Sequence, residues 1–229
     1  MNLKDRIIFE DDLILVLDKP AGVVVNISQT SPESTVQNFV AEYLNLHPYK
    51  DREDDFYQRC GIVHRLDKAT SGVLVVAKTP DSFVDIQSLF KDRKIQKVYV
   101  AIVHGKIEDA KIIIDAPLSR DPKRRTKFAV VKGGKESSTD ISVIKNFALR
   151  GEELTEVEVK PLTGRTHQIR VHLAAINSPI VGDVLYSTRK KLIWSQECGI
   201  NRMLLHAKAL TIPGYGEFQA SVPSDFNLI

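Results

Sequence analysis

The sequence predicts an α+β fold, in which a mixed, largely antiparallel β-sheet core is flanked by helices. Strand-like segments outnumber helical ones, and hairpin turns between them are frequent, as is typical of this class. No internal repeat and no linker rich in Pro, Gly or Ser divides the 229 residues. We therefore expect one domain over residues 1–229, built as a single body or as two lobes around a central cleft.

The first third of the chain predicts strands and two helices. Residues 7–19 alternate as a hairpin that turns at two adjacent Asp residues, and a further strand is expected after the turn at 19–22. A Ser-x-x-Gln capping box at 34–37 predicts one helix, and Thr79-Pro80 predicts the start of another. Residues 61–78 predict two strands separated by a turn.

The remainder of the chain predicts mainly strands. Val98–Val103 is apolar on both faces, as a central strand would be. A short helix is expected from Arg165 to Ile176, with Ile169 and Leu173 facing inward. Further strand-like runs are residues 112–114, 128–131, 141–144, 155–159, 204–212 and 218–222.

The composition is that of a globular protein, with 43% hydrophobic and 27% charged residues. The longest apolar run, Val98–Val103, is too short to span a bilayer, and the N-terminal residues show no secretory signal. Cys60 and Cys198 are far apart in the sequence and are expected as free thiols. These features predict a cytoplasmic protein that does not associate with membranes.

The net charge is small, but the basic residues are clustered. Lys and Arg number 32 against 29 Asp and Glu, which gives +3. Basic clusters lie at residues 91–94, 120–127 and 189–191. One such cluster is usually a solvated surface, whereas three together make a polyanion-binding face an equal alternative.

The densest group of functional side chains is Gly61–Gly72, with the sequence GIVHRLDKATSG. If this segment is a strand, Arg65 and Asp67 share one face, and His64 lies on the other. A guanidinium beside Asp67 would favour the ionised carboxylate, and it could also reach a phosphate or replace a displaced base. Taken alone, however, Arg-x-Asp is more typical of a surface pair at a strand end.

Two further clusters add weight to a functional interpretation. Gly164–Arg170, with the sequence GRTHQIR, places five hydrogen-bonding side chains at a turn and a helix start, where exposed amide donors suit an anion. Lys97 and Tyr99 share a face of the central strand, and a buried tyrosine hydroxyl requires a partner.

Metal and nucleotide sites are not indicated. His167 and His172 are five residues apart, so they do not share a helix face as a zinc pair would, and no Glu lies between them. Ser71 lacks the G-x-S-x-G context of a nucleophile elbow, and no glycine-rich phosphate-binding signature is present. We expect no metal and no cofactor.

Four blocks of the sequence, in this order, resemble the RluA-type pseudouridine synthases, over about residues 7–223. The blocks are His64–Asp67 with Thr70–Gly72, Lys97-x-Tyr99-x-Ala101 ending at Gly105, Gly164–Arg170 continuing through His172 and Pro179–Asp183 to Tyr186, and Leu205-His206-Ala207 with Leu210. The resemblance implies a pseudouridine synthase fold and the isomerisation of uridines in structured rRNA or tRNA, without a cofactor or metal. Two departures are Ala69, where many members have a polar or larger residue, and residues 212–216, which lack the aromatic-x-His-Pro pattern.

The resemblance also implies roles for single residues. Asp67 corresponds to the catalytic aspartate, Tyr99 to the tyrosine beneath the target base, and Arg165 to the basic partner of the aspartate. Arg65 would fill the gap left by the flipped nucleotide. The other residues predicted to bind substrate are His64, Thr70, Gln168 and Arg170. No basic N-terminal RNA-binding module is recognised, so we expect RNA recognition from this domain, with a monomer as the simplest state.

The implied chemistry breaks the N1–C1′ bond of uridine, rotates the base and joins C5 to C1′. The sequence leaves open whether Asp67 attacks the sugar or removes its C2′ proton. The uridine must leave the helical stack, and basic clusters would hold the flanking phosphates.

Two other function classes compete with this interpretation. One is a catalytically silent RNA-binding or chaperone protein on the same fold, against which the presence of Asp67, Tyr99 and Arg165 argues. The other is a glycosidase acting on free nucleosides, which the basic clusters disfavour.

Overall fold

The computed structural model describes most of the chain, namely residues 2–28, 34–46 and 54–228. These residues divide into two compact units. The first unit comprises Met1–Gln96 and Ala207–Ser221, and the second comprises Lys97–His206 and Val222–Ile229.

The described strands and helices lie along the chain as follows. The strands are β1 Ile7–Glu10, β2 Ile14–Lys19, β3 Ser71–Ala77, β4 Gln96–His104, β5 Lys111–Asp115, β6 Leu118–Arg120, β7 Phe128–Val130, β8 Ser138–Leu149, β9 Glu152–Pro161, β10 Leu205–Ile212 and β11 Gly216–Gln219. The α-helices are α1 Val36–Tyr43, α2 Asp55–Gln58, α3 Pro80–Lys91, α4 Gln168–Ala175 and α5 Arg189–Glu197. Short 3-10 helices cover Lys4–Arg6 and Ser224–Phe226. The α+β class and the mostly antiparallel sheet are as predicted.

The first unit contains strands in the order β1–β2–β3–β10, with β11 paired to β10. The predicted hairpin of β1 and β2 is confirmed. Its turn is held by Asp11, whose Oδ1 accepts hydrogen bonds from the backbone N–H groups of Leu13 and Ile14 over 2.8 and 2.7 Å. A short acceptor of this kind stabilises the turn locally, which is why its position could be predicted from sequence.

The core of the first unit is formed around β3, which is buried at every position. Phe83 and Ile86 of α3 pack in this core, and Leu89 and Phe90 lie at its edge, as the helical spacing predicts. On β2, Ile14 and Val16 face the same core because alternate strand residues share a face.

The second unit contains antiparallel strands in the order β4–β9–β8–β5, and β6 pairs with β7 as a separate hairpin. The predicted central strand is confirmed in β4, where residues 100–103 are buried. A hydrophobic cluster of this unit contains Ile102, Leu154 and Leu204.

Capping side chains determine where two helices begin. Thr79 caps α3 reciprocally with Ser82, and Pro80 occupies the first turn, as predicted. The prediction for α1 was wrong by one residue, because Thr35 is the N-cap and pairs with Asn38. The reason is the backbone, since Ser34 has φ 59° whereas an N-cap residue is extended.

Further predictions about secondary structure were wrong. Residues 23–27, directly after the turn at 19–22, contain no strand. Residues 63–70 form a loop, which follows an isolated bridge between Ile62 and Val76. The helix expected from Arg165 begins at Gln168, since His167 has φ 57° and cannot belong to the helix. Helix α5 was not predicted, and its first residues were recognised only as a basic cluster. Its apolar periodicity is weak, since Ser195 is its single buried residue.

Within the described ranges, none of the helices has the length and hydropathy of a membrane span. Cys60 and Cys198 are free thiols, as predicted, and Cys60 is buried.

Candidate active site

Asp67 lies in the loop that leads into β3. It is half-buried, whereas Leu66 and Thr70 on either side are buried. The N–H of Thr70 donates to the Asp67 carbonyl over 3.1 Å, which closes a turn around the carboxylate-bearing residue. The earlier expectation that Arg65 and Asp67 share a strand face was therefore wrong. The loop nevertheless leaves Asp67 in contact with solvent, where a substrate can reach it.

A buried ammonium group supports this loop. Lys19, at the end of β2, is 0% exposed, and its Nζ donates to two carbonyls of residues 20–23, each over 2.9 Å, and to the carbonyl of Lys68 over 3.4 Å. The same Lys68 carbonyl accepts the N–H of Gly22 over 2.7 Å. Because a buried ammonium must place its protons on acceptors, these bonds tie the turn to the residue after Asp67. Sequence reasoning recognised only the turn.

The other predicted substrate-binding residues of this loop differ in their exposure. Arg65 is exposed, and Thr70 is buried. His64 is half-buried, with its ring 4.8 Å from that of Phe90, and its Nε2 accepts the N–H of Val75 over 3.0 Å. Since a backbone N–H can only donate, this nitrogen is unprotonated. Contact of these three residues with RNA stays a prediction. Arg65 is the most exposed of the three and is therefore the best placed to make such a contact.

The loop at residues 163–165, between β9 and α4, carries Arg165. Lys97 Nζ donates to the carbonyl of Thr163 over 3.1 Å, and the Gln168 Oε1 accepts from Thr163 Oγ1 over 2.6 Å and from the Arg165 N–H over 3.0 Å. The Nε of Arg165 donates to the Glu136 carbonyl over 3.1 Å. Within the described part of this unit, its two terminal nitrogens make no hydrogen bond, so they can bind an anion.

Tyr99 lies on β4, opposite Val159 of β9, and is half-buried. Lys97 and Tyr99 are two residues apart on this strand and therefore share a face, as predicted. Because the Lys97 ammonium reaches Thr163, that face of β4 is the one beside the loop of Arg165.

Arg170 differs from the surface arginines of the protein. It is 5% exposed, and its Nε and Nη2 donate to the two carboxylate oxygens of Asp183 over 2.8 and 2.9 Å. Asp183 is itself 1% exposed and accepts the N–H of Leu185 over 2.9 Å. The Arg170 guanidinium also lies 5.1 Å from the ring centre of Tyr186. This placement favours a supporting role for Arg170 over direct substrate contact.

Replacing Arg170 by Met is expected to lower the free energy of unfolding by about 3–5 kcal/mol, because Asp183 would remain as an unpaired buried charge. Chemical denaturation measures this change. Arg202→Met is the matched control, since Arg202 pairs with the half-exposed Asp225 and should cost no more than about 1 kcal/mol. Equal losses in the two variants would contradict the buried pair.

His104 and His172 of the second unit are each 0% exposed. Burial lowers the pKa of each, since the charged form loses its hydration. For His104 this lowering, with a smaller contribution from Lys191, outweighs the hydrogen bond to Glu152, which raises the pKa. Below the unfolded pKa of about 6.5, the unfolded chain binds more protons than the folded one.

Stability is therefore expected to be independent of these groups above about pH 6.5 and to fall as the pH decreases toward the lowered folded pKa values, by up to about 1.4 kcal/mol per pH unit for each histidine. Denaturant titrations between about pH 7.5 and about pH 5 measure this slope. His104→Gln should reduce it, and an unchanged slope in that variant would show that His104 does not contribute.

The structure groups the predicted site residues within each unit. His64, Arg65, Asp67 and Thr70 occupy one loop of the first unit. Tyr99, Arg165, Gln168 and Arg170 belong to the second unit. Sequence reasoning did not single out Lys19 or Asp183 for any role, because no local pattern reveals the bond of Lys19 to Lys68 or that of Asp183 to Arg170.

Residues 13–175 match the sequence profile of the family described as RNA pseudouridylate synthase. The chain is 37% identical over 228 residues to the ribosomal large subunit pseudouridine synthase D of Xanthomonas campestris pv. campestris, and 41% identical over 181 residues to that of Nitrosomonas europaea. These alignments cover 95% and 79% of this chain, and 65% and 49% of the two relatives.

The chain thus spans about half to two thirds of the length of these relatives. Among solved structures, human RNA pseudouridylate synthase domain containing 1 superposes with a TM-score of 0.74 at 28% identity. That superposition covers 96% of this chain and 83% of the human one.

Proposed function

Because the chain belongs to the RNA pseudouridylate synthase family, of the RluA type, we propose that it converts uridine to pseudouridine in structured RNA. The observation that carries the proposal is the family match over residues 13–175, which includes Asp67, Tyr99 and Arg165. The names of the bacterial relatives make large-subunit ribosomal RNA the first substrate to test.

In the proposed reaction, Asp67 acts on the ribose of a uridine that has left the helical stack. Its half-buried carboxylate can bond to C1′ as the base departs, or it can take the C2′ proton. In either route the freed uracil turns, C5 bonds to C1′ and loses its proton, and N1 takes up a proton. In the first route the bond between Asp67 and C1′ breaks as C5 attacks, and in the second the carboxyl returns its proton to C2′. Reactant and product are isomers, so no oxidant, reductant or group donor is consumed.

The other candidate site residues have complementary roles in this proposal. The terminal nitrogens of Arg165, which make no hydrogen bond within the described part of the second unit, offer a charged donor for an anionic group of the reaction. The Tyr99 ring packs against the detached uracil, which must be kept from diffusing away until C5 bonds to C1′. The exposed Arg65 occupies the space that the flipped base vacates.

Pseudouridine mapping in total RNA from cells with and without this protein tests the proposed function. We expect specific sites in ribosomal RNA to lose pseudouridine when the protein is absent, and the purified protein to release tritium from RNA labelled at uridine C5. A map with no lost site, together with no tritium release from ribosomal or transfer RNA, would instead favour the silent RNA-binding protein.

Tyr99→Phe is expected to lower turnover with RNA affinity little changed, since the ring remains while the hydroxyl is lost. The loss should be modest, on the order of 10-fold, because stacking is preserved. Single-turnover tritium release and filter binding measure the two quantities separately. A large loss of binding would mean that Tyr99 acts mainly in docking.

A further inference from the structure

The side-chain amide of Gln168 uses all of its hydrogen-bonding capacity although the residue is only 4% exposed. Its Oε1 accepts from Thr163 Oγ1 over 2.6 Å and from the Arg165 N–H over 3.0 Å. Its Nε2 donates to the Ser138 carbonyl and to Thr139 Oγ1, each over 2.9 Å. Because a backbone N–H only donates and a carbonyl only accepts, these partners allow one orientation of the amide.

The donor end of the amide is held by a directional chain of hydrogen bonds. His172 Nε2 lies 3.0 Å from the carbonyl of Ala116, so it must carry the proton, and Nδ1 is the acceptor. The Thr139 hydroxyl, 2.9 Å from that Nδ1, therefore donates to it. Thr139 Oγ1 is then available to accept from Gln168 Nε2, as the distance indicates. The amide is thus anchored on buried groups of β8 and α4.

The acceptor end of the amide holds the loop at residues 163–165. Among the described residues, Arg165 makes three hydrogen bonds: its N–H donates to the Gln168 side chain, its Nε donates to the Glu136 carbonyl, and its own carbonyl accepts the backbone N–H of Gln168 over 3.1 Å. Lys97 Nζ holds the other end of the loop through the Thr163 carbonyl. Without the Gln168 side chain, the Arg165 N–H and the Thr163 hydroxyl lose their acceptor, and of these bonds the backbone of Arg165 keeps only the one from the Gln168 N–H to its carbonyl. The loop is then held less firmly, and the guanidinium can move with it.

We propose that Gln168 is a positioning residue, which holds the loop of Arg165 in the conformation that the proposed reaction requires. It acts through the loop and makes no contact with RNA, in contrast to the substrate-binding role that the family resemblance implies. This inference rests on the proposed function and assigns a role to a buried amide in it.

Gln168→Leu removes both ends of the amide at nearly constant volume, and Gln168→Glu keeps the acceptor oxygens while losing the donor. In both variants we expect the single-turnover rate of tritium release to fall by on the order of 10–100-fold, since small displacements of a reacting group have effects of this size. RNA affinity should stay within about threefold, because no RNA contact is lost.

Gln37→Leu is the matched control. Gln37 is 6% exposed in the first unit, and its amide joins two backbone segments in the same way, donating to the Gln58 carbonyl over 2.8 Å and accepting the Ile27 N–H over 3.0 Å. Gln37→Leu should lower the free energy of unfolding about as much as Gln168→Leu does, while the folded enzyme keeps its rate of tritium release. Circular dichroism and thermal unfolding give the folded fraction of every variant, and rates are corrected for it.

A double-mutant cycle with Arg165→Ala decides whether Gln168 acts through Arg165. In the Arg165→Ala background, Gln168→Leu should have little further effect on the rate. Full additivity would overturn the proposal, as would a normal rate in Gln168→Leu or a loss of RNA affinity that accounts for the whole defect.

The failures can be told apart. A normal rate in Arg165→Ala would count against the role proposed for Arg165 and, with it, against the positioning role of Gln168. A slow Arg165→Ala enzyme beside a normal Gln168→Leu enzyme would count against Gln168 alone. An inactive wild-type protein would count against the proposed function itself.

Discussion

Asp67→Asn is expected to abolish tritium release from RNA labelled at uridine C5, with a loss of at least on the order of 10³-fold. Asn has the same shape but no charge, so it can neither bond to C1′ nor accept the C2′ proton. RNA affinity should be nearly unchanged, because residue 67 is half-buried and phosphate binding depends on basic side chains. Rates at saturating enzyme and filter binding separate the two effects.

Asp81→Asn is the control for this experiment, since Asp81 is an exposed carboxylate in the first turn of α3 of the same unit. It should keep wild-type activity, with at most a small change in helix stability. If Asp67→Asn retained the activity of Asp81→Asn, the carboxylate of residue 67 would not be the catalytic group.

Gly72→Ala is expected to prevent stable folding. Gly72 has φ +113°, and an added Cβ would lie 2.7 Å from the carbonyl carbon of Ala207 and 2.8 Å from its nitrogen. Because these atoms are backbone, no side chain can move aside, and strands β3 and β10 would have to separate locally. A loss of several kcal/mol approaches the whole stability of a typical domain, about 5–15 kcal/mol. Thermal unfolding and the yield of folded protein measure the outcome.

Gly214→Ala controls for backbone strain, because Gly214 has φ +83° with no atom within 4 Å of an added Cβ. Its free energy of unfolding should fall only by the strain of a non-glycine residue in the left-handed region, about 1–2 kcal/mol. If the two variants unfolded at similar temperatures, the close backbone approach at Gly72 would be wrong.

Elements specified by neighbouring residues were predicted well. The hairpin turn at Asp11, the start of α3 at Thr79 and the apolar strand β4 all depend on contacts within a few residues. The loop that carries Asp67 was predicted as a strand, because its alternating residues match a strand pattern. Its backbone instead bonds to the turn after β2, about fifty residues earlier, which no local pattern reveals.

The roles of the candidate site residues were also predicted well where they depend on sequence motifs and poorly where they depend on tertiary contacts. The family resemblance identified Asp67, Tyr99 and Arg165, because each of them lies in a motif whose residues are neighbours in the sequence. It gave Gln168 and Arg170 the same substrate-binding role, whereas the structure buries both and pairs them with protein groups.

Sequence alone thus determined the class of fold, most strand positions and the family, and it led to the proposed reaction, since each depends on residue types at short, regular spacings. Tertiary structure alone decided which polar side chains face solvent and which support the site. The physical reason is that a buried amide or guanidinium is stable only when every polar group has a partner, and those partners, such as Ser138 for Gln168 and Asp183 for Arg170, are brought near by folding.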